Sequence, residues 1–388
     1  MTEKQSLAIV VVAYNRVHSL SRLLTSINNA NYDYDDVTLI ISIDKSKSTE
    51  VEDYADSFTW KYGKKIVRKH NSNLGLREHM LSLREWFDYY DSLIVLEDDL
   101  VVAPDFYRYA IQTVNKYHND ENVAGISLYS FSLNYQNNNP FIPIKREFDV
   151  YFMKIAMSWG QIWMKNSWLA FYEWYKTNLD FNPNPNIPNV LFTWSSKSWL
   201  KYHSRYCIEC NKYFAYPYNS LTTNCCDLGT HAKYKFSLSQ VPLMLGRIDH
   251  YRLPEFLSLV PKYDGFYEYE DIAALLKIPK EQLCININSN QKNDGKRFLL
   301  SSKRYNFKIV KSFGMMYRPI EQNIIKSVPG NDIFLYDTTI REKNNICKRD
   351  KSLLFIRYLD EIAFLIIHYG LKNTILDFCE IIFRKLKK

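Results

Sequence analysis

Glycine is scarce here, with 11 in 388 residues, and none follows the first apolar run, where Ala13-Tyr14-Asn15-Arg16 stands instead. A glycine-rich phosphate loop at that point is therefore excluded. No uninterrupted apolar run reaches the roughly 18 residues that a membrane-crossing helix needs. The first apolar run spans only about seven residues, too short for a cleavable export signal. The seven cysteines are an odd number in a chain read without an export signal, so reduced thiols are expected. These absences point to a cytoplasmic protein, soluble or peripheral on the inner face of a membrane. There is no arginine-rich stripe and no nucleic-acid-binding motif, so no nucleic-acid partner is expected. Fixed-period repeats and long low-complexity tracts are also missing.

What is present reads as a globular chain, 46% hydrophobic and 24% charged. Its length implies one large domain plus an appended region. The net charge of +8 suits an anionic partner such as a nucleotide diphosphate or an anionic lipid, although a generally solvated basic surface explains most of it. Tyrosine is abundant, at 30 residues. Flat aromatic faces stack on the apolar faces of sugar rings, but they also fill ordinary cores.

The first third of the chain alternates strand and helix patterns. Leu7–Ala13 is a β-branched run suited to burial on both faces. Leu20, Leu23, Leu24 and Ile27 follow at helical spacing. Further strands are expected over Val37–Ile43, Lys65–Lys69, Leu93–Leu96 and Val123–Leu128. Helices are expected over Glu50–Trp60, Leu74–Tyr90 and Pro104–Tyr117. Strands separated by helices of this length form right-handed βαβ units and a parallel sheet, with ligands beyond the strands' carboxyl ends. Asn15-Arg16, Asp44 and Glu97-Asp98-Asp99 all fall just after predicted strands, so three polar clusters converge on one edge.

Glu97-Asp98-Asp99 carries the strongest chemical signal. Three adjacent carboxylates at the end of a buried strand repel one another and are costly to desolvate. A divalent cation, Mn2+ or Mg2+, removes the conflict, since these ions bind one or two carboxylates plus substrate phosphates. An isolated acidic triplet is more often a solvated turn. The preceding apolar Leu93–Leu96 and the following Leu100-Val101-Val102 weigh against that.

These residues carry a family resemblance. IVVVAYNRVHSLSRLLTSI resembles the opening strand and helix of family-2-type glycosyltransferases. LIVLEDDLVVAPDFYRYA resembles the metal-site segment of the Golgi N-acetylglucosaminyltransferase that initiates hybrid N-glycans. NSNLGLREH, GISLYS, SWGQIWMKNSW, NKYFAYPYNSLTTN, GTH and SFGMMYRP extend the likeness to bacterial glycosyltransferases of capsule, O-antigen and other surface-polysaccharide loci. It covers roughly residues 7–340 and is strongest over 7–130. The resemblance implies an α/β GT-A fold, a mainly parallel sheet flanked by helices with a C-terminal helical extension. It implies a hexosyl- or N-acetylhexosaminyltransferase that uses a nucleotide-sugar donor, a UDP-sugar, and a glycan or lipid-linked glycan acceptor. By the same match, Ala13 and Arg16 would lie beside the nucleotide, Asp44 at the base or ribose, and Arg77 near the diphosphate. Asp99 would ligate the metal, with Glu97 and Asp98 at the ribose or metal-bound water, and His231 would complete the metal sphere or touch the diphosphate.

An inverting transfer, also implied by resemblance, needs a carboxylate at the acceptor hydroxyl. The stretch Trp194-Ser195-Ser196-Lys197-Ser198-Trp199 has none, which leaves Asp227 and Glu173 as candidates. The missing base also keeps open a non-catalytic carbohydrate-binding or scaffold protein. A nucleotidyltransferase is disfavoured by the absent glycine loop. Cys207-x-x-Cys210 with Cys225-Cys226 is spaced poorly for zinc, and incidental thiols are favoured. The expected organisation is a catalytic domain over 1–250, an irregular extension over 251–350, and an amphipathic helical tail over 351–388. Apolar stretches and cations mix in that tail, which makes an anionic membrane surface a candidate partner.

Overall fold

A computed structural model describes residues 5–33, 36–225, 227, 239–344 and 353–386. The chain opens as β1 (Leu7–Ala13), α1 (Val17–Asn28), β2 (Thr38–Ile43), α2 (Glu50–Ser57), β3 (Lys65–Lys69), α3 (Gly75–Ser82) and β4 (Ser92–Glu97). It continues as β5 (Leu100–Val102), α4 (Phe106–Tyr117) and β6 (Val123–Ser127), then a short hairpin of β7 (Leu133–Asn134) and β8 (Asn139–Pro140). Next come β9 (Val150–Met153), β10 (Gln161–Met164), α5 (Lys165–Thr177), α6 (Asn189–Thr193), α7 (Leu200–Glu209), β11 (Tyr213–Pro217), β12 (Thr222–Asn224) and β13 (Lys262–Tyr263).

Nine of these strands form one sheet in the order β13-β9-β11-β6-β10-β4-β1-β2-β3. Five of its eight neighbour pairs are parallel; β10 runs against both β4 and β6, and β9 against β11. The alternation of side chains along a strand explains its two faces. Ile9, Val11 and Ala13 of β1 join a core with Leu20, Leu23, Leu24 and Ile27 of α1. Each such buried aliphatic side chain contributes roughly 2 kcal/mol. Ala8, Val10 and Val12 face the other way, into a core shared with Met80, Leu81 and Phe87 and with the aromatics of the second half.

Two segments differ from the sequence reading. The helix expected over 74–90 is α-helical only to Ser82, and Leu83–Asp88 forms a tighter 3-10 turn. The apolar spacing is met by either winding, so periodicity did not separate them. The stretch 251–350, read as irregular from its polarity, supplies β13 to the main sheet and holds a second sheet. That sheet contains β14 (Leu283–Asn286), β15 (Phe298–Ser301), β16 (Phe307–Phe313) and β17 (Ile333–Arg341), in the order β14-β15-β17-β16; α8 (Ile272–Leu275) precedes it and α9 (Gln322–Ile325) lies within it. β16 alternates between half-buried and exposed positions, the signature of a one-sided strand whose polar half hides it in a composition reading. Leu283, Leu300, Phe313, Ile333 and Leu335 join the same core as β1. The described tail is α10 (Leu353–Tyr369) followed by α11 (Leu371–Leu386).

Candidate active site

Register assembles the site. Ala13 of β1 stands opposite Ile43 of β2, and Val12 opposite Glu97 of β4. The three strands therefore end at one level, and the residues after them share one edge. Arg16, just before α1, reaches across to the triplet. Its guanidinium pairs with Asp98 and donates from Nη1 to Asp99 Oδ2 at 3.2 Å. Asp98 is only 4% exposed.

The acid chemistry is perturbed in the direction that crowding dictates. Burial, with Asp99 next to it, raises the Glu97 carboxyl to about 8, against a hydrogen bond from Ser158. Burial raises Asp98 to about 6, opposed by Arg16. Asp99 Oδ1 is buried without a hydrogen-bond partner. A buried carboxyl oxygen without a partner, beside two carboxyls of raised pKa, is the donor chemistry that a hard cation satisfies. Among the described residues no group of three or more acidic, histidine or cysteine side chains forms a ready metal cage. Asp99 is therefore the residue of the triplet that could offer a free carboxyl oxygen to such a cation.

A small second sheet brings a distant segment to the triplet. β12 pairs antiparallel with β5, setting Asn224 opposite Leu100, and the Cys225 amide donates to the Asp99 carbonyl at 2.9 Å. Asp227 follows. It accepts from Ser19 Oγ at 2.6 Å and pairs with Arg22 of α1. Burial alone would raise its pKa, but the bonds from Arg22 and Ser19 hold it below the ordinary carboxylate range. His231 lies outside the described residues. Cys225 sits beside Arg22, and Cys207 is buried on α7.

Asp44 is buried at 4% exposure, and its amide donates to Ala13 O at 3.0 Å. Its carboxylate accepts from the amides of Lys45 (2.9 Å), Leu74 (2.8 Å) and Gly75 (2.9 Å). It therefore holds the start of α3, where Gly75 adopts φ +74°. Behind it, burial lowers His79 to about 4, and His79 Nε2 shares a 2.8 Å hydrogen bond with Ser42. Arg77, in the first turn of α3, stacks on the Tyr202 ring at 5.1 Å and bonds Tyr175. Glu173 is not brought to the triplet. It is exposed on α5 and paired with Lys176 at 2.5 Å.

Four contributors escaped the sequence reading: Ser19, Arg22, Ser158 and Trp159. Ser19 and Arg22 are a helical turn apart on α1, but nothing local announces a partner about 200 residues away. Ser158-Trp159-Gly160 was visible as a motif without a role. Gly160 has φ +90°, and a Cβ there would stand 2.8 Å from Thr222 Cγ2. Its amide bonds back to Ser158 O at 2.8 Å, a tight turn that presents Ser158 to Glu97. Trp159 is half-buried on this edge, its ring 5.0 Å from Tyr129 and 5.7 Å from Tyr135.

Residues 8–170 match the family model for glycosyl transferase family 2. The fold is GT-A. The matched segment contains β1 to β10 and the whole Arg16–acidic triplet arrangement, and it supports sugar transfer. Solved structures with a similar fold include the mannosyltransferase PcManGT from Pyrobaculum calidifontis in complex with GDP-Man and Mn2+, at 11% identity, covering 55% of this chain and 57% of that one with a TM-score of 0.35. TarS 1-349 from S. aureus in complex with UDP-GlcNAc is 12% identical over 60% of this chain and 62% of that chain, with a TM-score of 0.39. GalNAc-T7 with UDP, GalNAc and Mn2+ is 14% identical over 56% and 43%, with a TM-score of 0.40. The alignments thus span about two-fifths to three-fifths of those chains. No curated protein sequence gives a significant match.

Proposed function

We propose that this protein transfers a sugar from a nucleotide-diphosphate donor, a UDP-sugar, to a hydroxyl of a glycan or lipid-linked glycan, with inversion and with a divalent cation. The setting proposed is assembly of a bacterial surface polysaccharide such as capsule or O-antigen, at the cytoplasmic face. The observation that carries this reading is Arg16 set against Glu97-Asp98-Asp99 at the carboxyl edge of the sheet, with Asp99 Oδ1 unpaired. Mn2+ or Mg2+ held by Asp99 would supply Lewis-acid neutralisation of the leaving diphosphate. Arg16 adds positive potential for phosphate, and Arg77 is its proposed helper. Ala13 and Asp44 shape the nucleotide end: Ala13 closes β1 with no bulk, and Asp44 fixes the loop before α3. Glu97 and Asp98 face the ribose or metal-bound water. Asp227 is the proposed acceptor of the hydroxyl proton. Its pairing to Arg22 keeps it ionised and correctly placed at the cost of basicity. His231 is proposed as a further metal or phosphate contact.

A thermal-shift screen of nucleotide sugars, with and without Mn2+, tests this. A donor at about a hundred times its Kd stabilises the folded state by about 2.7 kcal/mol, which reads as a rise of several degrees. A rise with a UDP-sugar that needs Mn2+ is expected; silence across all nucleotide sugars in both conditions refutes the reading. One observation favours a second reading, carbohydrate binding without turnover: Asp227 is already committed to Arg22 and Ser19. Hydrolysis or transfer of a labelled nucleotide sugar separates the two.

A further inference from the structure

The tail poses a question that the catalytic reading does not answer. α10 and α11 pack on each other, joined at Gly370. Among the tail residues whose side chains are described (359, 362–376, 378 and 379), none enters the cores built on the main sheet, and Thr374 is the one buried position. Large apolar side chains lie in the open instead. On α10, Phe364 and Ile367 are 55% and 77% exposed; on α11, Leu371, Ile375 and Phe378 are 57%, 51% and 43% exposed. Spacings of three and four residues place each set on one helical face. Soluble proteins rarely leave such a contiguous surface uncovered.

Length and charge select what covers it. At about 1.5 Å per residue, neither helix exceeds about 26 Å. No helix among the described residues is long and apolar enough to cross a membrane. Lys372 is exposed between Leu371 and Ile375, and the chain closes as Arg384-Lys385-Leu386-Lys387-Lys388, four cations in five residues. Apolar side chains beside cations are the chemistry of a helix lying in the headgroup boundary of an anionic bilayer. We infer that the α10–α11 hairpin docks this protein onto anionic phospholipid, with Phe364, Ile367, Leu371 and Ile375 entering the boundary. A second copy of the chain would match the apolar residues but would bring the same positive charge to the contact.

The test uses the full chain, needs no sugar donor, and so fails or succeeds independently of the transferase reading. The protein is sedimented with vesicles of phosphatidylcholine alone and of phosphatidylcholine with phosphatidylglycerol. Binding to the phosphatidylglycerol vesicles is expected, with a severalfold loss between about 0.1 M and about 0.5 M salt as the Debye length shrinks. The double variant Ile367→Asp, Ile375→Asp should lose at least about tenfold in partitioning. Both positions are exposed, so its melting temperature should be unchanged, which the same preparation checks. Wild-type protein left in the supernatant with both vesicle types overturns the inference. So does a double variant that binds like wild type, or a wild-type dimer that the same two substitutions dissociate.

Discussion

Replacing Asp99 with alanine separates a functional carboxylate from a structural one, because the two roles move stability in opposite directions. Its backbone carbonyl, not its side chain, holds Cys225 and the β5–β12 pairing, and alanine keeps that bond. The side chain contributes one partly exposed link to Arg16 at 3.2 Å, worth at most about 1 kcal/mol. Against that stands a buried oxygen without a partner, a cost of about 1–3 kcal/mol. Glu97 is raised to about 8 by its burial first and by Asp99 second, so removing Asp99 relieves part of that penalty. Asp99→Ala should therefore leave stability unchanged or raise it by about 1–2 kcal/mol, a few degrees in Tm. Turnover should fall by at least about two orders of magnitude, roughly 3 kcal/mol of transition-state stabilisation. Calorimetry and release of nucleoside diphosphate from a donor identified in the screen measure the two quantities. A Tm lowered by more than about 5 °C with turnover intact would refute the reasoning, because it would make Asp99 a strut rather than a ligand.

Three further outcomes follow from the same geometry. Asp44→Ala removes the acceptor for three backbone amides, so it should cost about 2–3 kcal/mol in urea unfolding. It should also raise the donor KM while leaving the Mn2+ requirement in place; a shifted metal requirement with unchanged KM would reverse the assignment. Asp227→Asn should lower kcat with donor binding nearly intact, whereas Glu173→Gln, on an exposed surface, should change neither; equal loss of donor binding in Asp227→Asn would move it to the nucleotide shell. Glu321 is 6% exposed, and burial raises its carboxyl to about 7, so the folded chain keeps a proton that the unfolded chain has released. Stability from this group is then present below about pH 4.5 and is lost as pH rises toward 7, by up to about 3 kcal/mol. Glu321→Gln should flatten that slope in pH-dependent melting; an unchanged slope would show that the proton is held elsewhere.

Much of the first half of the chain could be read from residue order alone. The β-branched run at Leu7–Ala13 and the spacing of Leu20, Leu23, Leu24 and Ile27 follow from burial on a two-faced sheet, and that periodicity is a local property. Convergence of Arg16, Asp44 and Glu97-Asp98-Asp99 was legible too, because parallel strands joined by helices must end on one edge. Only the tertiary structure decided who meets whom on that edge. Arg16 could have faced solvent or phosphate; the register of Val12 with Glu97 sets it against Asp98 and Asp99. Asp44 looked like a free ligand and proves to be fastened to three amides of the neighbouring loops. Asp227 and Glu173 were equal candidates by residue type. A three-residue strand pairing delivers one to α1, while the helix face of the other turns it to water. The polar stretch 251–350 conceals a four-stranded sheet because one-sided strands alternate with solvent-facing charges, and composition averages that alternation away. Local pattern follows from which surfaces must leave water. The identity of a partner two hundred residues distant depends on chain closure and register, which no window of sequence contains.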